Sequence, residues 1–325
     1  MAVINYIQAI TDALREEMQR DDSVFMLGED IGQYGGAFRV TKGFLEEFGD
    51  ERIWDTPLSE SAIVGVATGM AMNGFRPVAE MQFMDFITVG FNQIVNVAAK
   101  MHYRTGYKVP MVIRGPSGGY VHGGPFHSQN PEAWFVKTPG LKVVAPSSPY
   151  DAKGLLKAAI RDDNPVLYFE HKYLYRRIKE EVPEDDFIVP LGEGDIKRPG
   201  RDATIITYAA MVHMALEVAD EMSEQDGVEI EVVDLRSLLP YDKDLILDSV
   251  RRCNRVLLMH EDTMTAGLAG EWAAHIAEHA FESLDAPIKR LAALDAPVPY
   301  APILEEYFLP NKEQIRTALR ELLDY

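Results

Sequence analysis

Apolar residues at positions 7, 10, 14 and 18 fall on one helical face between the possible cap Asn5 and the charged run Arg20-Asp21-Asp22, so the chain opens with an amphipathic helix. A short apolar run follows at 24–27 and reads as a strand. It ends in Gly28-Glu29-Asp30, a loop at a strand's carboxyl end, where parallel sheets bind ligands. Largely buried helical segments follow at 62–71 and 91–102, and further strands are predicted at 109–114, 141–145 and 166–169. Ser148-Pro149 caps a helix whose residues 152, 155, 156, 159 and 160 repeat at helical spacing. From 179 to 201 the text turns acidic and rich in Pro and Gly without periodicity, which reads as a linker. Beyond it, strands at 203–208, 228–235 and 255–260 alternate with helices at 211–222 and 242–253, and helices at 267–281 and 312–323 finish the chain. This alternation predicts an α/β protein of two parallel-sheet domains, residues 1–180 and 202–325, joined by a linker at 181–201.

The stretch from 55 to 86, DTPLSESAIVGVATGMAMNGFRPVAEMQFMDF, departs from the amphipathic pattern. Ser59 is a plausible N-cap, and Glu60 falls in the first helical turn. The helix that follows has no polar face and is therefore expected to be buried, while Gly65 and Gly69 let another backbone approach closely. A carboxylate at the mouth of a buried helix is costly unless it is paired, capping or functional. Glu60 is thus either an acid complementing the helix dipole or a working group.

Composition narrows the choices. With 325 residues and 47% hydrophobic content the chain can build two ordinary cores. A net charge of −19 argues against nucleic-acid backbones and anionic membranes and suits a basic protein partner. The single cysteine, Cys253, excludes a disulfide framework, and no secretory signal opens the chain, so a cytoplasmic setting is expected. Residues 115–125 form a loop rich in Gly and Pro that delivers His127 to a strand's end; such a histidine is either structural or catalytic. Ser117 within Gly115-Pro116-Ser117-Gly118-Gly119 fits a serine-hydrolase motif, but the residues after it cannot start the required helix well. The dinucleotide fingerprint, the phosphate-binding P-loop and a zinc ligand set are missing from the sequence. A non-catalytic interaction subunit is the remaining alternative class.

Thr56-Pro57-Leu58-Ser59-Glu60, Arg76-Pro77-Val78-Ala79-Glu80 and Gln82-Phe83-Met84-Asp85-Phe86 together resemble the beta subunit of the thiamine-diphosphate-dependent decarboxylating component of 2-oxo acid dehydrogenase complexes. The resemblance runs through essentially the whole chain and implies a transketolase-like pyrimidine-binding domain followed by a transketolase C-terminal-like domain. It implies that Glu60 hydrogen-bonds the cofactor's aminopyrimidine, that Phe86 stacks on that ring, and that Glu29, Leu58, Ser59 and Gln82 line it. A carboxyl group held against N1′ in a water-poor site would promote loss of the cofactor's C2 proton. Phe83, Met84, Asp85 and His127 would serve the substrate, His127 by proton donation or by orienting the substrate or lipoyl group. Met111, Ala159, Ile160, Asp162 and Asn164 match a potassium site, and Asp285 and the terminal carboxylate of Tyr325 match docking positions for a lipoyl acyltransferase core. The Gly-Asp-Gly motif that holds magnesium and diphosphate does not occur here, which implies an alpha subunit carrying it in an α2β2 heterotetramer. His122-Gly123-Gly124 before the segment 126–132, and Tyr175 with Glu180-Glu181-Val182-Pro183, are most similar to the branched-chain (2-oxoisovalerate) type; pyruvate and acetoin dehydrogenases are the alternatives.

Overall fold

The computed structural model describes residues 1–325, which divide into two compact units. The first comprises Met1–Ser117, Trp134–Leu191 and Leu238–Pro240; the second comprises Gly118–Ala133, Gly192–Ser237 and Tyr241–Tyr325. No helix is long and apolar enough to cross a membrane.

The first unit is organised by a seven-stranded sheet in the order Ser237–Leu239, Lys142–Val144, Val166–His171, Val112–Ser117, Arg76–Glu80, Val24–Gly28 and Ile53–Asp55. The pairs from Lys142–Val144 across to Ile53–Asp55 are all parallel. Its central strands are buried along their whole length, as near-continuous apolar runs require. The opening helix Tyr6–Arg20 is capped by Asn5, whose side chain accepts from the Gln8 N–H at 2.9 Å. It packs against the helix Pro149–Arg161, capped by Ser148 as expected, and Arg161 donates to the fully buried Glu17 at 2.6 Å.

Three expectations change here. The apolar helix spans Glu60–Met72, and it buries Ile63, Val64, Ala67, Thr68 and Ala71 while leaving Ala62, Gly65, Val66 and Gly69 exposed. Only one side of it meets the sheet, so the absence of a polar face does not mean burial within this chain. Residues 91–102 are wound as an i→i+5 turn over Gln93–Ala98 leading into Ala99–Thr105, with only Ile94, Ala98 and Ala99 buried. The stretch read as a linker carries two strands: Lys179–Val182 pairs antiparallel with Ala2–Asn5, and Asp195–Arg198 pairs antiparallel with Ile230–Asp234. Both strands are short and largely polar, and their partners lie elsewhere in the sequence, so local periodicity does not reveal them.

The second unit is a five-stranded sheet in the order Lys289–Ala293, Val256–Thr263, Ala203–Thr207, Ile230–Asp234 and Asp195–Arg198, parallel except for that last edge. Helices Ala210–Asp226 and Lys312–Leu323 close its core through Met211, Ala215, Val218, Ile315 and Leu319 against Ile205, Val232 and Leu257. The loop Gly118–Ala133 belongs to this unit.

Candidate cofactor and substrate site

Glu60 opens its helix, and Glu29 follows the strand Val24–Gly28; each is only 7% exposed. Ser59 stands at the helix entry but does not cap it with its side chain: its hydroxyl donates to the Pro57 carbonyl at 3.1 Å. Its N–H instead donates to Glu29 Oε1 at 3.3 Å. Burial, and then the charge of Glu60, push the Glu29 carboxyl above its ordinary value, while the Ser59 N–H acts the other way. Two carboxyl groups are therefore neighbours at low exposure, and at Glu29 the protonated form is favoured. The loop behind Glu29 is fixed by Gly32 N–H donating to Asp55 Oδ1 at 2.6 Å and by the Thr41 hydroxyl donating to the Ile31 carbonyl at 2.6 Å.

Phe86 lies in the tight turn Met84–Gly90, partly buried. Its ring meets Phe83 edge-on at 6.0 Å, Phe83 meets Phe38 at 5.6 Å, and Phe38 meets Tyr175 at 5.2 Å. Tyr175 donates its hydroxyl to Glu170 Oε2 at 2.7 Å, and Glu170 and Glu80 both pair with the fully buried guanidinium of Arg114. Neither the Arg114 ion cluster nor Phe38 stands out in the sequence; three charges on adjacent strands are recognisable as a set only once the strand order is known. Gln82 is partly buried and donates to Asp30 Oδ2 at 3.1 Å, and Leu58 is 81% exposed. Met84 and Asp85 are both buried, so of the predicted substrate residues in this segment only Phe83 offers partial surface. Paired carboxyls, an aromatic ring and an exposed aliphatic side chain suit a flat aminopyrimidine that presents ring nitrogens at its edge and apolar faces.

His127 is partly buried on the loop Gly118–Ala133 of the second unit. Ser117 is buried, and its carbonyl accepts from the Lys172 N–H at 3.1 Å. The next helical turn is the three-residue Gly124–Phe126, so the strand–serine–helix elbow of a hydrolase is missing.

Residues 2–177 match the transketolase pyrimidine-binding domain and residues 192–315 the transketolase C-terminal domain. Over the full length of both chains, the sequence is 53% identical to 2-oxoisovalerate dehydrogenase subunit beta of Bacillus subtilis. It is 46% identical, again over both full lengths, to the pyruvate dehydrogenase E1 component subunit beta of the same organism. The chain belongs to the beta-subunit family of 2-oxo acid dehydrogenases. Its fold is similar to a solved split-gene transketolase, described as an inactive beta4 tetramer, with a TM-score of 0.80 and 25% identity across 99% of each chain. Beta subunits of this family serve thiamine-diphosphate-dependent oxidoreductases.

In this beta subunit the residues matching a potassium site already have partners within the chain. The Met111 carbonyl accepts from the Val166 N–H at 2.9 Å, and that of Ala159 from the Asp162 N–H at 3.3 Å. Arg76 Nη1 donates to the carbonyls of Ile160 and Asp162, each at 3.0 Å, while Arg76 Nη2 donates to Asp163 at 3.0 Å. The Asp162 carboxylate receives Lys142 on one oxygen and the Asn164 amide groups, at 2.8 and 3.0 Å, on the other. A guanidinium thus already supplies the positive charge at this helix exit.

The positions matched to docking lie in the second unit. Asp285 faces Arg255 at 3.7 Å, and the same arginine donates to the Leu322 carbonyl at 3.1 Å, which brings Asp285 beside the end of the last helix. Tyr325 is exposed there, near Glu321 and Asp324.

Proposed function

We propose that this chain is the beta subunit of a branched-chain, 2-oxoisovalerate-type 2-oxo acid dehydrogenase. With an alpha subunit it decarboxylates the 2-oxo acid and passes the acyl group to a lipoyl domain. The observation that carries this reading is the low-exposure carboxyl pair Glu60 and Glu29 in the same unit as the aromatic series ending at Phe86. When bound, thiamine diphosphate supplies the nucleophilic carbon that adds to the 2-oxo acid carbonyl and holds the electrons left when carbon dioxide departs. Glu60 holds a proton at N1′ of the aminopyrimidine, and burial keeps water from competing for it. Glu29 stands beside it, and burial together with the charge of Glu60 favours the protonated form of Glu29. Phe86 orients the ring by stacking, its own ring steadied by Phe83 and Phe38; Leu58, Ser59 and Gln82 border the same position. His127 donates a proton to, or orients, the substrate or lipoyl group.

The diphosphate and its magnesium belong to the alpha subunit, because this chain has no Gly-Asp-Gly motif and carries a charge of −19. The exposed apolar face of Glu60–Met72 supports an α2β2 assembly, since contiguous exposed apolar surface marks partner contacts. Asp285, which faces Arg255, and the exposed Tyr325 terminus beside Lys289, Glu321 and Asp324 offer carboxylates to the basic docking domain of the acyltransferase core. The single cysteine suits a reducing cytoplasm, and its burial pushes the thiol up to about 12. Co-expression with the alpha subunit, followed by turnover of 3-methyl-2-oxobutanoate, pyruvate and acetoin, tests the substrate assignment. Equal or faster turnover of pyruvate or acetoin would overturn it in favour of a pyruvate or acetoin dehydrogenase.

A further inference from the structure

The loop Gly118–Ala133 holds a conformation that its own sequence does not favour. Gly118, Tyr120, His122 and Gly124 all take left-handed backbone angles, φ +85°, +60°, +60° and +70°, and two of the four carry full side chains. Contacts from its own unit hold it there. Glu261 Oε1 accepts from the Gly119 N–H at 2.5 Å and from Asn130 Nδ2 at 2.8 Å. Tyr120 donates its hydroxyl to the Pro310 carbonyl at 2.8 Å, and the Gly118 N–H donates to the Gln129 carbonyl at 3.0 Å. Gly124 lies against the ring of Tyr300, where a Cβ would come within 2.5 Å.

One contact does more than fix the backbone. Glu305, 1% exposed, accepts from the His122 N–H at 3.1 Å on Oε2, and the same oxygen stands 2.7 Å from His122 Nδ1. The His122 side chain is itself 45% exposed. With the carboxylate oxygen as acceptor, Nδ1 carries the hydrogen, which leaves Nε2 of the half-exposed ring to take or give a proton. A buried carboxylate that sets the tautomer and direction of an accessible imidazole is the arrangement by which acid–base histidines are prepared for work.

We propose that His122, oriented by Glu305, is a second proton-transfer imidazole of the 2-oxo acid reaction, on the same loop as His127. Glu305 is its positioning residue. The inference rests on the function proposed above.

The test uses the enzyme assembled with its alpha subunit and 3-methyl-2-oxobutanoate, comparing His122→Ala, Glu305→Gln and the double variant. His122→Ala keeps the backbone N–H bond to Glu305 and is expected to lower kcat on the order of 10²-fold with KM little changed. Glu305→Gln is expected to lower kcat roughly tenfold or more, and the double variant should be no worse than His122→Ala, because both changes disable one unit. Nitrogen-15 spectra of the full chain should show His122 with its proton on Nδ1, and Glu305→Ala should abolish that signature. Near-wild-type kcat in His122→Ala would overturn the proposal even if Glu305→Gln were impaired, since Glu305 would then only clasp the loop. Additive losses would overturn it as well. A wild-type assembly that turns over no 2-oxo acid would remove the functional reading itself, an outcome recognisable before any variant is compared.

Discussion

At the scale of single residues, Glu60 and Glu29 must be considered together. Glu60→Gln keeps a hydrogen-bonding side chain but cannot hold and return a proton, so turnover should fall on the order of 10²- to 10⁴-fold. If Glu60 were only an acid at a helix N-terminus, the change would cost about 1 kcal/mol of stability and leave turnover intact. Exchange of the C2 proton of bound thiamine diphosphate separates the two outcomes. Glu29 gives a prediction with a definite sign. Its folded-state value is raised above its ordinary 4.5, so its ionisation penalises the fold at neutral pH and that penalty disappears as acid protonates it. Glu29→Gln should therefore raise the unfolding midpoint of the isolated chain at pH 7. The gain should shrink as pH falls toward 4.5; an equal gain at both ends would refute the electrostatic origin.

At the scale of elements, the strands Arg76–Glu80, Val112–Ser117 and Val166–His171 carry Glu80, Arg114 and Glu170 side by side in the interior. Burial pushes Glu80 up while the Arg114 charge pulls it down, and the two carboxylates keep Arg114 charged. The cluster braces the edge of the site, because Tyr175 on Glu170 leads through Phe38 and Phe83 to Phe86, and Glu80 Oε1 lies close under Gly36 of the loop that follows Glu29. Arg114→Leu leaves two buried carboxyls without a counter-charge and should cost roughly 3–5 kcal/mol, read from urea unfolding of the isolated chain. Where the helix Pro149–Arg161 ends, Arg76 already satisfies the carbonyls of Ile160 and Asp162. The thermal midpoint should accordingly be the same in potassium chloride and sodium chloride of equal concentration; a rise specific to potassium would show a cation site that the guanidinium does not replace.

At the scale of the whole molecule, half of the site's chemistry is expected from a partner, and the helix Glu60–Met72 provides a way to test this without touching Glu60. A Cβ at Gly69 meets nothing within 4 Å in the chain. Gly69→Leu should thus leave the isolated chain folded, with a slightly more stable helix since an interior glycine costs roughly 0.5–1 kcal/mol. Size-exclusion chromatography with the alpha subunit should show assembly lost. Normal assembly of that variant would place the partner contact elsewhere.

The periodicity of the sequence determined the two α/β layers, the caps Asn5 and Ser148, and the main helices, because spacing and capping chemistry are local. Motif resemblance marks Glu60 and Phe86 from the sequence alone. Tertiary structure alone decided that Glu29 borders Glu60, that Met84 and Asp85 turn inward, and that Arg76 sits where a cation was expected. It also decided that one face of an all-apolar helix remains open, and that Glu305, 183 residues beyond His122, directs that histidine's ring. Each of these depends on which distant segments the parallel sheets bring together, and the order of strands in a sheet leaves no mark on the local alternation of apolar and polar residues.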